Sequence, residues 1–161
     1  MGIPIRKIAL DPTPRHPRLM AAVAVLAIVL SQGPSAMADK KAHTAEAEDP
    51  DLEWGPCPAF MPEGCEIAAL QGDPAEPNAD VFFKLPGETT APEHWHTSAE
   101  RMVLVAGEMQ VTYEGQDAVA LAPGTYAYGP PELPHTAECV SAEPCVLFIA
   151  FEEPVDAFEA D

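Results

Sequence analysis

The stretch Pro92–Glu108, "PEHWHTSAERMVLVAGE", places two histidines two residues apart, a glutamate four residues after the second, and a glycine seven beyond that. Alternate side chains of an extended strand share a face, so His94 and His96 point one way and Trp95 the other. Two imidazoles thereby converge on one point. A turn at Thr97-Ser98-Ala99 returns the Glu100 carboxylate to them from the start of a following strand, Arg101 to Val105. Gly107 then permits a tight turn into a next hairpin arm, Met109 to Glu114. Forty residues on, "GTYAYGPPELPHTAEC" carries His135, the only other histidine of the segment expected to fold. Three imidazoles and one carboxylate suit a borderline divalent ion, zinc, iron, manganese, nickel or copper, and not calcium. An isolated His-x-His is equally at home as a hydrogen-bonded strand pair, and spacing alone does not choose between the two.

The chain of 161 residues has room for about one domain, and its beginning reads as something else. Arg6, Lys7, Arg15 and Arg18 precede an uncharged run from Leu19 to Leu30, and Ala36-Met37-Ala38 follows. A basic head, a short apolar run and a small-x-small site are the parts of a secretory signal peptide, here residues 1–38, cleaved before Asp39. The apolar run is shorter than the ~20 residues a spanning helix needs, so no stable membrane insertion is expected after cleavage. The protein is then periplasmic or secreted. Residues 39–53, charged and small without apolar periodicity, read as a flexible acidic leader, and 54–161 as the folded domain.

From Asp39 onward four basic side chains, Lys40, Lys41, Lys84 and Arg101, face 25 acids. That balance argues against nucleic acid as a partner and favours a well-dispersed chain, leaving a small-molecule ligand, and room for a homodimer. All four cysteines, Cys57, Cys65, Cys139 and Cys145, lie in this part, as befits an oxidising compartment. Three pairings exist. The local one, Cys57 with Cys65 and Cys139 with Cys145, closes loops of nine and seven residues and is preferred to a zinc site, since neither spacing is Cys-x2–4-Cys.

Short runs rich in β-branched and aromatic residues, cut by proline and glycine, follow Trp54: "EIAAL", "DVFFKL", "RMVLVAG", "EMQVTYEG", "DAVALAPG", "TYAYGP", "HTAECV" and "CVLFIAFEE". They predict an all-β sandwich or barrel. Met109, Val111 and Tyr113 alternate with Gln110, Thr112 and Glu114, the pattern of a strand with one wet face. "VLFIAF" is apolar throughout and predicts a strand buried on both sides.

Gly87 to Gly107 resembles the first cupin motif, a glycine followed by His-x-His, three residues, glutamate, six residues and glycine. Gly124 to His135 resembles the second: glycine, five residues, proline, four residues, histidine. The resemblance runs from about Val81 to Phe151. It implies a small double-stranded β-helix, the jelly-roll barrel of cupins, with one metal ion held inside by His94, His96, Glu100 and His135. Two positions depart from the pattern. Glu132 stands where glycine is usual, and Cys139 where asparagine often follows the histidine. A looser similarity, to the cupin part of ChrR-like zinc-binding anti-sigma factors, lacks their N-terminal helical domain.

A fold of this kind carries many chemistries, so two readings stand. In one the protein is a metalloenzyme of dioxygenase-like or isomerase-like chemistry, with Glu132, Tyr126 and Tyr128 as candidates beside the metal. In the other it is a ligand-binding or sensing module whose metal is structural. Tyr126 and Tyr128, two apart, share a face whichever role they take, and core packing is the plainer one.

Overall fold

The computed structural model describes residues 42–160, so the predicted signal peptide and the first residues of the leader lie outside the described residues. Residues 42–53 hold turns and no strand, and the His43 ring meets the Leu70 carbonyl through Nε2 at 2.9 Å. Eleven strands follow: β1 Trp54–Pro56, β2 Glu66–Gln71, β3 Asp80–Leu85, β4 Thr89–Trp95, β5 Glu100–Ala106, β6 Met109–Tyr113, β7 Val119–Leu121, β8 Tyr126–Gly129, β9 His135–Cys139, β10 Cys145–Phe151 and β11 Phe158–Glu159. The described residues contain no helix, hence none long and apolar enough to cross a membrane.

Two antiparallel sheets face each other, one in the order β1-β2-β3-β10-β5-β8 and one in the order β11-β4-β9-β6-β7. The alternating pattern of β6 decides which side is inward: Met109, Val111 and Tyr113 are buried, while Gln110 is exposed and Thr112 half-buried. Opposite them stand Val81, Leu85, Met102, Leu104, Leu147, Ile149 and Phe151 of the larger sheet, all buried. Removing side chains of this size from water contributes about 1.5–3 kcal/mol each.

Three details differ from the sequence reading. β5 and β6 form no hairpin: β5 pairs with β10 and β8, and β6 with β9 and β7, so Gly107 marks a crossing between sheets. Its φ is +81°, and a Cβ there would lie 2.8 Å from Cys145 Sγ, so glycine is required by conformation and by space. β10 is central between β3 and β5, yet Phe148 and Ala150 on its outer face are only half-buried. Strands β1 and β11, too short to show a pattern, extend the sheets at their edges.

The cysteines pair as Cys57–Cys65 and Cys139–Cys145. The second pair joins the end of β9 to the start of β10 and so ties one sheet to the other. The first closes the loop that carries Phe60 and Met61 over the inner cavity.

Candidate metal centre

Pro92 cannot donate to a β-ladder, and the β4–β9 register slips between Ala91 and His94. Beyond that bulge His94 faces His135 directly across the strands, with ring centroids 4.3 Å apart. His96 follows one residue past the end of β4, still on the inner face. The chain then crosses to the other sheet, and Glu100 opens β5. Ser98, 1% exposed, holds that corner: its hydroxyl oxygen accepts from the amides of Glu152 at 2.8 Å and Glu153 at 3.0 Å.

All four side chains are buried. One ring nitrogen from each of His94, His96 and His135 lies within 4.8 Å of the others. The Glu100 carboxylate stands 3.4 Å from His96 Nε2 and 3.6 Å from His135 Nε2.

The hydrogen bonds settle which nitrogen faces inward. His94 Nδ1 donates to the Pro92 carbonyl at 2.7 Å, His135 Nδ1 to the Leu133 carbonyl at 3.2 Å, and His96 Nδ1 to the Asp156 carbonyl. A carbonyl oxygen only accepts, so each neutral ring keeps its proton on Nδ1 and turns the Nε2 lone pair inward. Burial pushes His94 down to about 4, the neighbouring His96 adding to it and the Pro92 carbonyl opposing. His135 falls to about 3, again chiefly through burial, then through His94, with the Leu133 carbonyl opposing. Both rings are therefore neutral near pH 7. Burial holds the Glu100 carboxyl above its usual range, His96 opposing and Asp156 adding to the rise. Lone pairs and a carboxylate crowd one another here, and His96 Nε2 is buried with no hydrogen-bond partner. A cation resolves that crowding, and a borderline divalent metal fits the donor set.

The other sequence candidates lie elsewhere. Tyr126 and Tyr128 do share a face, but it is the outer face of β8, where they are 59% and 51% exposed; they neither line the cavity nor pack in the core. Glu132 is exposed too, and its side chain is no part of the cavity wall. Its backbone has φ +60°, the left-handed conformation that glycine adopts without strain, and its amide donates to the His96 carbonyl at 2.8 Å. What matters at this position is thus the backbone, which ties the second motif to the first.

Two residues escape sequence reasoning. Asp156 holds His96 through its carbonyl, and its carboxylate accepts from Thr97 N at 2.9 Å and Thr97 Oγ1 at 2.5 Å. Nothing in the chain links it to the histidine 60 residues away. Tyr113, paired with His135 across β6 and β9, has a buried hydroxyl without a partner, and burial, then Glu100, raises its pKa. Its place in an alternating strand read only as core.

Beside the ligands the sheets form a partly open cavity of about 420 Å³. Its walls include Ile67, Phe83, Met102, Val111, Leu147, Ile149 and Phe151, with Glu53, Val155 and Asp156 contributing to the lining.

Residues 81–151 match the model of the cupin domain family. That part of the chain is a cupin domain, which places it in the cupin superfamily. Solved structures agree on the fold. DMSP lyase DddQ from Ruegeria pomeroyi is 18% identical, with a TM-score of 0.59 over 68% of this chain and 61% of that one. Oxalate decarboxylase from Lactobacillus farciminis, in complex with formate, is 17% identical, with a TM-score of 0.55 over 68% of this chain and 33% of that one. The E162A mutant of Bacillus subtilis oxalate decarboxylase is 19% identical, with a TM-score of 0.55 over 68% and 30%. This cupin chain therefore spans less than two thirds of each of these proteins. No curated protein sequence matches it.

Proposed function

We propose that this cupin is an exported small-molecule metalloenzyme, binding one divalent transition metal ion through His94, His96, Glu100 and His135. The convergence of three Nε2 lone pairs on a buried carboxylate carries this reading. The adjoining cavity favours catalysis over a structural metal, because structural sites are closed and catalytic sites keep a position open beside the protein ligands. A bound metal of this class supplies Lewis acidity, and iron, manganese or copper supplies redox chemistry as well. The protein's own part is to fix the three tautomers, hold Glu100 as counter-charge, and surround the open side with apolar side chains. Dioxygenase-like and isomerase-like reactions are the classes such a site serves. The solved relatives include lyases and decarboxylases, chemistry that also proceeds on a small substrate.

Elemental analysis after dialysis tests the site. The wild type should carry one metal per chain, His96→Ala should lose it, and Glu132→Ala should keep it. Stoichiometric metal in His96→Ala, or none in the wild type after reconstitution with zinc, iron, manganese, nickel and copper, rejects the assignment. Export is tested separately by sequencing the N-terminus of the secreted form, expected near Asp39; an intact Met1 in the cytoplasmic fraction counts against it.

A further inference from the structure

We infer that the cavity takes an uncharged small molecule with an apolar body and a single polar end, and rejects polyanions whose charges lie too far apart to share one metal ion. This rests on the metal reading only for what the polar end meets; the apolar body is argued from the walls.

Among the described residues that line the cavity there is no lysine or arginine, and no serine, threonine, asparagine, glutamine, tyrosine or tryptophan. Apart from the three histidines, its polar side chains are Glu53, Glu100 and Asp156, all acidic. The Asp156 carboxylate is already committed to Thr97, and Glu53 is exposed. Deep in the cavity, away from Glu53 at its exposed edge, a ligand therefore finds side-chain hydrogen-bonding partners where the histidines and Glu100 meet. Everywhere else it touches the side chains of Ile67, Phe83, Val111, Leu147 and Ile149.

Each polar group buried without a partner costs about 1–3 kcal/mol. A sugar or a dicarboxylate would leave several. Charge points the same way. A divalent cation beside Glu100 leaves one net positive charge, and Glu53 and Asp156 offset it. A second carboxylate too far from the first to share the metal would then meet no cation, in a place where desolvating a charge is expensive. An apolar body loses nothing by entering, and the cavity volume of about 420 Å³ lies within the range of small-ligand sites.

The test compares three small probes, 4-methylphenol, adipate and choline, against metal-free and metal-loaded full-length protein, with binding followed by ligand-observed NMR and metal content by elemental analysis. The expected result is saturable binding of 4-methylphenol to both forms, tighter to the loaded one, with adipate and choline at least ~10-fold weaker. Ala69→Trp, at an exposed point of the cavity lining, should weaken 4-methylphenol severalfold without changing metal content. Adipate or choline binding as tightly as 4-methylphenol, or 4-methylphenol binding unaltered in Ala69→Trp, overturns the inference. Loss of the metal reading is separable: a protein that takes up no metal yet binds 4-methylphenol in its apolar cavity sinks the metalloenzyme and leaves the ligand class standing.

Discussion

Gly129 leaves open the space in which the Glu100 carboxylate and the Tyr113 hydroxyl both sit. A Cβ added there would lie 3.0 Å from Tyr113 Oη and 3.1 Å from Glu100 Oε2. Both neighbours are buried, so neither can swing into solvent. Gly129→Ala should therefore push Glu100 off its position and weaken metal binding by about 10–100-fold, the range seen when groups supporting a ligand are disturbed. Competition with a chelator measures it, and an affinity equal to wild type would show that Glu100 has room to spare. Glu132 makes the complementary point. Its identity departs from the cupin pattern, yet its backbone takes a left-handed φ that glycine adopts without strain, and its amide donates to the His96 carbonyl.

At the scale of elements, the site exists because β4 and β9 are neighbours while β4 and β5 are not. Cross-strand pairing sets His94 against His135, and the crossing at residues 97–99 brings Glu100 from the opposite sheet. The Cys139–Cys145 bridge holds the same two layers together a few residues away, with both cysteines fully buried. Replacing both by alanine should lower stability by about 2–4 kcal/mol, from a freer unfolded chain and from the packing lost. Denaturant unfolding gives the figure. A loss under about 0.5 kcal/mol would mean that the crossing at Gly107 and the β10 ladder hold the sheets unaided.

The whole molecule should answer to pH through the buried rings. In the unfolded chain His94 and His135 titrate near 6.5. In the fold they are pushed down to about 4 and about 3. As pH falls below about 6.5, the unfolded chain takes up protons that the folded one refuses, so the metal-free protein loses stability, through both rings until His94 titrates near 4 and through His135 alone until about 3, with a slope approaching about 1.4 kcal/mol per pH unit for each ring. Glu100 acts with the opposite sign: its raised pKa favours the fold below the ordinary carboxyl range and costs stability as pH rises through the raised value. A bound metal reverses that cost by ionising Glu100 usefully, and protons compete with it. Metal-induced stabilisation should thus be largest near pH 7–8 and shrink toward pH 5, as melting curves with and without metal would show. Stabilisation that grows on acidification contradicts a site built from neutral imidazoles.

The sequence by itself determined the all-β class, most of the strand positions and the cupin membership. Alternation in β6 and the punctuation by proline and glycine are local signals, and the two motifs lie within one stretch of chain. It also named the four residues that the fold brings to one point. Tertiary structure alone decided the rest, because those choices depend on which strands become neighbours. β5 looked like the partner of β6 since they adjoin in sequence, but the chain changes sheets at Gly107. Tyr126 and Tyr128 share a face by local geometry, and only the position of β8 at a sheet edge turned that face to solvent. Asp156 is far from His96 along the chain and acts mainly through a backbone carbonyl, which no side-chain pattern can announce.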